Sequence, residues 1–275
     1  MSVDRDQLRL RVEQVGNLPT LPGIVTRIAE MVDRAETTGR QLGLEIARDQ
    51  VISAKVLKLV NSGFYGFSQP ITTISHAVTL LGFNTVKSLV LSSTVLEMMK
   101  DSLPGLWEHS MACARTCSLI AGHLQMDDPE EISTAGLLHD LGKVVLRQAM
   151  EREFNQVVEM VEEQDVLFVE AERAIVGAHH GELAGWLLEK WALPERLVHP
   201  IVSHHDFNPD SDYARITAVL HLADILCRAE SFGSGGDRKI PRLLPDALVV
   251  LEMTGDDVVD IMDEMNEELR DIARM

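Results

Sequence analysis

The sequence predicts an all-α protein. Apolar residues recur at helical spacing along most of the chain, and no stretch alternates apolar and polar residues long enough to require a strand. Helix-start signals also stand where the periodic stretches begin. In chain order, Ile24, Ile28 and Met31 mark one apolar face, and Val51, Ala54, Leu57 and Leu59-Val60 mark another. Asp128-Pro129-Glu130-Glu131 sets out an N-cap Asp, a first-turn Pro and a capping-box Glu. Pro194-Glu195 opens a further helix. The last helix takes Thr254 or Asp256 as its cap, with Val258, Val259, Met262 and Leu269 as its apolar stripe.

At 275 residues the chain is long enough for one large domain or two smaller ones with a substantial core. Aromatic residues make up only 4%, so that core is aliphatic and rich in Met. Acidic side chains number 43 against 25 basic ones, leaving a formal charge of −18. Such a surface repels phosphate backbones, and the sequence holds no basic patch, so a nucleic acid partner is not expected. Cys113, Cys117 and Cys227 are odd in number and form no Cys-x-x-Cys, which fits buried, reduced thiols. Cys113 and Cys117 share one helix face. The segment 1–11 is charged throughout with no apolar core of a signal peptide, and no run reaches membrane-span length. A cytoplasmic protein with no membrane partner is expected.

Turn formers gather at Lys100-Asp101-Ser102-Leu103-Pro104-Gly105 and divide the chain into residues 1–100 and 101–275. Several helices but no group of metal-type ligands fall in the first region. The segment Phe232-Gly233-Ser234-Gly235-Gly236-Asp237 reads as an exposed loop before the C-terminal helices. Gly63-Phe64-Tyr65-Gly66-Phe67 reads as a loop between helices.

The second region carries the chemistry. His139 and Asp140 adjoin in Gly136-Leu137-Leu138-His139-Asp140-Leu141-Gly142-Lys143, on the helix after the capping box. Imidazole and carboxylate are the ligand types that hold Zn, Fe, Mn or Ni. His109 lies upstream; His180, His204-His205 and Asp224 lie downstream, most of them on apolar helices. One polar ligand per apolar helix is what an ion inside a helical bundle requires. A buried Asp such as Asp224 needs a partner, which a cation supplies. Each of these histidines taken alone reads first as a hydrogen-bonded core residue, and Asp224 alone as a salt-bridged one; only the joint pattern points to metal. His221, one turn before Asp224, is either a donor orienting that carboxylate or a core histidine. His179 is expected to be exposed, and His76, His123 and His199 to be structural. The acidic face Asp256–Glu268 reads as solvated.

The order His…His-Asp…His…His-His…Asp resembles the HD superfamily of metal-dependent phosphohydrolases. Four stretches narrow the resemblance to the HDOD family, the HD-related output domain. They are Asn17-Leu18-Pro19-Thr20-Leu21-Pro22, Ala54–Ser62, Ile74–Gly82 and Gly185–Pro194, so nearly the whole chain is covered. The resemblance implies an HD-like helical bundle with an N-terminal helical subdomain, and a role in bacterial signal transduction. Many HDOD members have lost the His-Asp pair, which this chain retains. By resemblance to the two-metal HD-GYP branch, one divalent ion would take His109, His139, Asp140 and Asp224. A second would take His180, His204 and His205, with Asp140 between them. Lys143 would neutralise a phosphate oxygen, so Asp140 and Lys143 are the expected catalytic residues. The implied ligand is a nucleotide-like phosphoester. After His204-His205 the chain reads Asp206-Phe207-Asn208-Pro209-Asp210, without a Gly-Tyr-Pro motif, so cyclic dinucleotide recognition is not implied. Two other readings are a non-catalytic module that binds a signalling protein, its metal structural, and oxygen chemistry at a di-iron site.

Overall fold

The computed structural model describes residues 5–13, 27–28, 30–31, 34, 36–48, 50–61, 70–127, 129–191 and 193–269. Among the described residues the ordered elements are helices, with no strand, as expected. They are α1 (Arg5–Glu13), α2 (Gly39–Ile46), α3 (Gln50–Val60), α4 (Ile74–Ser102), α5 (Leu106–His123), α6 (Pro129–Leu138) and α7 (Leu141–Ala149). They continue as α8 (Glu151–Gln164), α9 (Phe168–Ile175), α10 (His180–Lys190), α11 (Glu195–Ser203), α12 (Ala214–Ala229), α13 (Pro245–Leu251) and α14 (Gly255–Leu269). None of these helices is long and apolar enough to cross a membrane.

The chain forms two compact units. The smaller spans residues 19–97 and holds α2, α3 and most of α4. The larger begins with residues 1–18, resumes at Met98 and runs through the C-terminal helices. A single cut near residue 100 does not describe this arrangement. α4 runs through Lys100 to Ser102, and α1 packs on α10 and α7 of the larger unit. Arg9 reaches Glu189 at 2.9 Å and Arg11 reaches Glu153 at 2.9 Å, while Arg5 pairs with Glu182. Contacts between residues so far apart leave no trace in local pattern.

In the smaller unit, Thr38 caps α2 reciprocally with Gln41: the Gln41 amide donates to Thr38 Oγ1 at 3.3 Å, and the Thr38 amide donates to Gln41 Oε1 at 2.9 Å. α3 buries Ile52, Val56, Leu59 and Val60, whereas Ala54 is exposed, so the buried face is turned from the one expected. Asn61 ends α3 by bracketing Ile71, donating from Nδ2 to its carbonyl at 2.8 Å and accepting its amide at 2.6 Å. α4 bends at Gly82, whose φ of 83° and ψ of 171° suit glycine alone.

The larger unit builds its core on α5 and α12, which pack on each other and on α6. Small residues set the spacing. A methyl on Gly136 would lie 2.9 Å from the backbone of Ala114, so glycine is what lets α6 approach α5. Gly142 plays the same part between α7 and α10, where a methyl would overlap the carbonyl of His180. The last helix is capped by Thr254, whose Oγ1 accepts the Asp257 amide at 3.3 Å. It packs on α5 through Ile261, Met265 and Leu269, one residue per turn. Val259, expected in that stripe, is 56% exposed. Asp128, Ile24, Asn17–Pro22 and Gly63–Phe67 lie outside the described residues.

Gly142→Ala is expected to destabilise the protein by about 3 kcal/mol, since backbone must move to admit the methyl. Urea unfolding followed by circular dichroism measures it, and an unchanged midpoint would contradict the close packing of α7 on α10.

Candidate metal centre

Helix ends rather than helix middles deliver most of the polar groups. α6 stops at Leu138 and α7 starts at Leu141, so His139 and Asp140 occupy the turn between them, not a helix. The Lys143 amide donates to the Asp140 carbonyl at 3.0 Å and closes that turn. His180 is the first residue of α10, and His204 and His205 follow the end of α11. His109 and Asp224 alone project from within helices, α5 and α12. The fold brings all seven expected ligands and Lys143 together. Six of the seven are at most 3% exposed, and His205 is half-buried.

Two groups flank the Asp140 carboxylate. In the first, His109 Nε2 lies 3.0 Å from Asp224 Oδ1 and 3.7 Å from Asp140 Oδ2. His139 Nε2 lies 3.4 Å from Asp140 Oδ2 and 3.9 Å from Asp224 Oδ1. In the second, His180 Nε2 lies 3.0 Å from His205 Nε2, 3.3 Å from His204 Nε2 and 3.3 Å from Asp140 Oδ1. Each carboxylate oxygen of Asp140 thus faces one group.

The tautomers follow from the outer hydrogen bonds. His139 Nδ1 meets the Gly136 carbonyl at 2.7 Å, and His204 Nδ1 meets the Ile201 carbonyl at 2.7 Å. A carbonyl only accepts, so both Nδ1 atoms carry the proton and both Nε2 atoms present lone pairs inward. Glu172 Oε2 accepts from the His180 backbone at 3.0 Å and lies 2.6 Å from its Nδ1. His139 Nε2 and both Asp140 oxygens are buried without a hydrogen-bond partner. Lys143 Nζ comes within 2.7 Å of Asp140 Oδ1, an ion contact off the hydrogen-bond direction. Converging lone pairs around an unsatisfied buried carboxylate are costly by themselves, and a cation is their complement. Among the described residues, ligand atoms close enough to share an ion occur in three sets: His109, Cys113, His139 and Asp224; His139, Asp140 and His204; His180, His204 and His205. The residues present therefore fit a divalent ion.

Electrostatics keep the candidate ligands in metal-competent states. Burial pushes His204 down to about 3 and lowers His139, His180 and His205, so all four are neutral at pH 7. Burial would raise the Asp140 carboxyl, but its interactions with His139, the Lys143 ammonium and His109 outweigh it and leave it below the usual carboxylate range. Arg228 and His109 do the same for Asp224. Burial raises Glu172 to about 8.

Several residues take parts that local pattern did not reveal. Phe232–Asp237 is not an exposed loop. The Ser234 amide donates to the Gly105 carbonyl at 2.9 Å, Gly235 accepts Lys143 Nζ at 2.7 Å, and Asp237 Oδ2 accepts the Phe168 amide at 2.8 Å. Arg228 bonds Asp237 and stands 4.0 Å from Asp224. His179 is buried, not exposed: its Nδ1 caps α10 by accepting the Gly181 amide at 3.2 Å, and its Nε2 meets Asp206 at 3.1 Å. His221 does not orient Asp224. Its Nδ1 donates to the His204 carbonyl at 2.8 Å and its Nε2 accepts the Leu244 amide at 3.2 Å. Local pattern does not mark Glu172, Cys113 or Arg228 as site residues. The one local sign of Cys113 is its place one turn after His109.

An all-helical domain enclosing a buried His/Asp group able to hold metal is the class that fold and site define. Within that class the chain belongs to the HDOD domain family, whose model matches residues 18–207. A solved HDOD domain protein of unknown function from Geobacter sulfurreducens is 27% identical, with a TM-score of 0.72, covering 96% of this chain and 99% of that one. A candidate phosphohydrolase from Shewanella amazonensis gives 21% identity, a TM-score of 0.72 and coverage of 94% and 93%. A candidate signal transduction protein from Marinobacter aquaeolei gives 20% identity, a TM-score of 0.80 and coverage of 98% and 64%. Among curated proteins, an uncharacterized protein of Treponema pallidum is 24% identical over 84% of this chain, which spans 46% of that relative. Ribonuclease Y of Oleidesulfovibrio alaskensis is 29% identical over 44% of this chain, a match that spans 18% of the enzyme.

Acid is expected to unfold the metal-free protein early. His204 takes its proton near pH 6.5 when unfolded and near 3 when folded, so between these values the unfolded chain holds the extra proton. His179, lowered to about 4, and four further lowered histidines act in the same sense. Glu172 opposes them between pH 4.5 and 8, but it is one group. The urea midpoint of metal-free protein should fall steadily from pH 6.5 to pH 4; a flat or rising midpoint would mean these histidines are not buried neutral.

Proposed function

We propose that this protein is a metal-dependent phosphohydrolase of bacterial signal transduction, acting on a nucleotide-like phosphoester in the cytoplasm. The observation that carries the reading is Asp140, a buried carboxylate with no hydrogen-bond donor, facing histidine nitrogens on both sides and a lysine at 2.7 Å. His109, His139, Asp140 and Asp224 would hold one divalent ion; His180, His204 and His205 would hold a second. Bound there, such ions supply a Lewis acid and a hydroxide available at neutral pH.

The chain's own residues supply the rest. The carbonyls of Gly136 and Ile201 fix the rings of His139 and His204, and Glu172 fixes His180, so the ligand set is preorganised. Lys143 offers its ammonium to the charge that grows on the phosphoryl oxygens. Burial keeps bulk water from these groups and strengthens each charge interaction. Ribonuclease Y, by name, acts on RNA, but a formal charge of −18 disfavours a long polyanion and favours a small ester here.

A second reading is favoured by a specific observation. Lys143 is 1% exposed and already bonded to the Gly235 carbonyl, as in a site closed to substrate. In that reading the ion is structural, and a helical surface binds a signalling protein.

Purified protein loaded with Mn or Fe is expected to hydrolyse a chromogenic phosphodiester such as bis(p-nitrophenyl) phosphate. Lys143→Met should lower turnover by about a hundredfold, and His139→Ala should abolish it. Metal bound in the wild type without turnover on any nucleotide ester would favour the structural ion, and no bound metal by elemental analysis would sink both readings.

A further inference from the structure

Cys113 stands one turn after His109 on α5, on the same face of the helix. Its Sγ lies 3.6 Å from His109 Nε2 and 3.8 Å from His109 Nδ1. That sulfur, a nitrogen of His109, a nitrogen of His139 and an oxygen of Asp224 all lie within 4.8 Å of one another. The thiol is fully buried, and His139 Nε2, aimed into the same space, has no hydrogen-bond partner. Neither observation is explained by core packing alone, for which an alanine or valine would serve.

We propose that Cys113 is a thiolate ligand of the first ion, completing a two-nitrogen, one-oxygen, one-sulfur set with His109, His139 and Asp224. The inference rests on the metal-binding reading above. Four donors of this kind make a tetrahedral set of the sort zinc takes. Coordination forms the metal–sulfur bond and releases the thiol proton to solvent. A soft sulfur donor selects Zn, Fe or Co over Mg and Mn. It also leaves Asp140 less committed to the first ion. The carboxylate can then turn Oδ1 to the second group, where His180 Nε2 is already 3.3 Å away. Cys117 and Cys227, also buried, are outside every set of converging ligand atoms among the described residues.

Cobalt(II) substitution tests this on the full chain. Cobalt content measured by elemental analysis separates binding from ligation. The wild type should bind cobalt and show the near-ultraviolet sulfur-to-cobalt charge-transfer band. Cys113→Ser should lose the band, and Cys117→Ser should keep it. Loss of even an outer partner costs about 10–100-fold in metal affinity, so Cys113→Ser should weaken zinc binding by at least about tenfold while manganese binding changes little. X-ray absorption of the zinc-loaded wild type, which needs no variant, should show one sulfur at about 2.3 Å. Bound cobalt without the band, or a band that survives Cys113→Ser, would overturn the sulfur ligand while leaving the metal reading intact. No cobalt bound at all would overturn both.

Discussion

The Asp140 carboxylate is buried in a helical interior with no hydrogen-bond donor directed at it, and much of the larger unit is arranged around that charge. An isolated buried carboxylate would neutralise itself by taking a proton. Asp140 instead stays ionised, because His139, Lys143 and His109 outweigh the burial. Holding those groups in place requires the turn between α6 and α7. That turn requires Gly136 to bring α6 against α5, and Gly142 to bring α7 against α10. The α10 start then supplies His180, and the end of α11 supplies His204 and His205. Packing and charge are thus one problem here: a shift of any of these helices separates candidate ligand atoms that lie, within each set, no more than 4.8 Å from one another.

The carboxylates also carry their own cations. Asp140 has Lys143 at 2.7 Å, and Asp224 has Arg228 at 4.0 Å. Both cations are themselves tied, Lys143 to the Gly235 carbonyl and Arg228 to Asp237. The segment from Phe232 to Asp237 therefore belongs to the site as much as the histidines do. Its glycines matter because of what they touch. Gly233, at φ 67°, lies against the backbone of His109, where a methyl would overlap the His109 amide. The interior balances its own charges, with Lys143 against Asp140 and Arg228 against Asp224 and Asp237.

The sequence made the helical class legible because period and caps are local properties. It made the candidate ligands nameable because His and Asp in or beside apolar helices stand out against their neighbours. What it could not convey depends on relations between distant residues. Glu172 looks like any acidic residue of an amphipathic helix until His180 arrives against it. Arg228 looks like a helix-end cation. Phe232–Asp237 has the composition of a surface loop, and composition does not tell whether backbone carbonyls find water or a buried ammonium. His221 is near Asp224 along the helix, yet its ring turns to the His204 carbonyl and the Leu244 amide. α3 and α14 were recognised as helices but assigned neighbouring faces, since one residue of register shifts a stripe by about 100° around the axis.

Lys143 already has two partners, the carboxylate of Asp140 and the neutral carbonyl of Gly235. The ammonium has three N–H donors and one directed bond, to the Gly235 carbonyl, so a ligand oxygen either takes a remaining donor or exchanges with that carbonyl; in the exchange a neutral oxygen gains little over another neutral oxygen. An oxygen bearing most of a negative charge gains more, because it adds Coulomb attraction to the buried ammonium. The Gly235 carbonyl thus tilts that exchange toward charged oxygens over neutral ones.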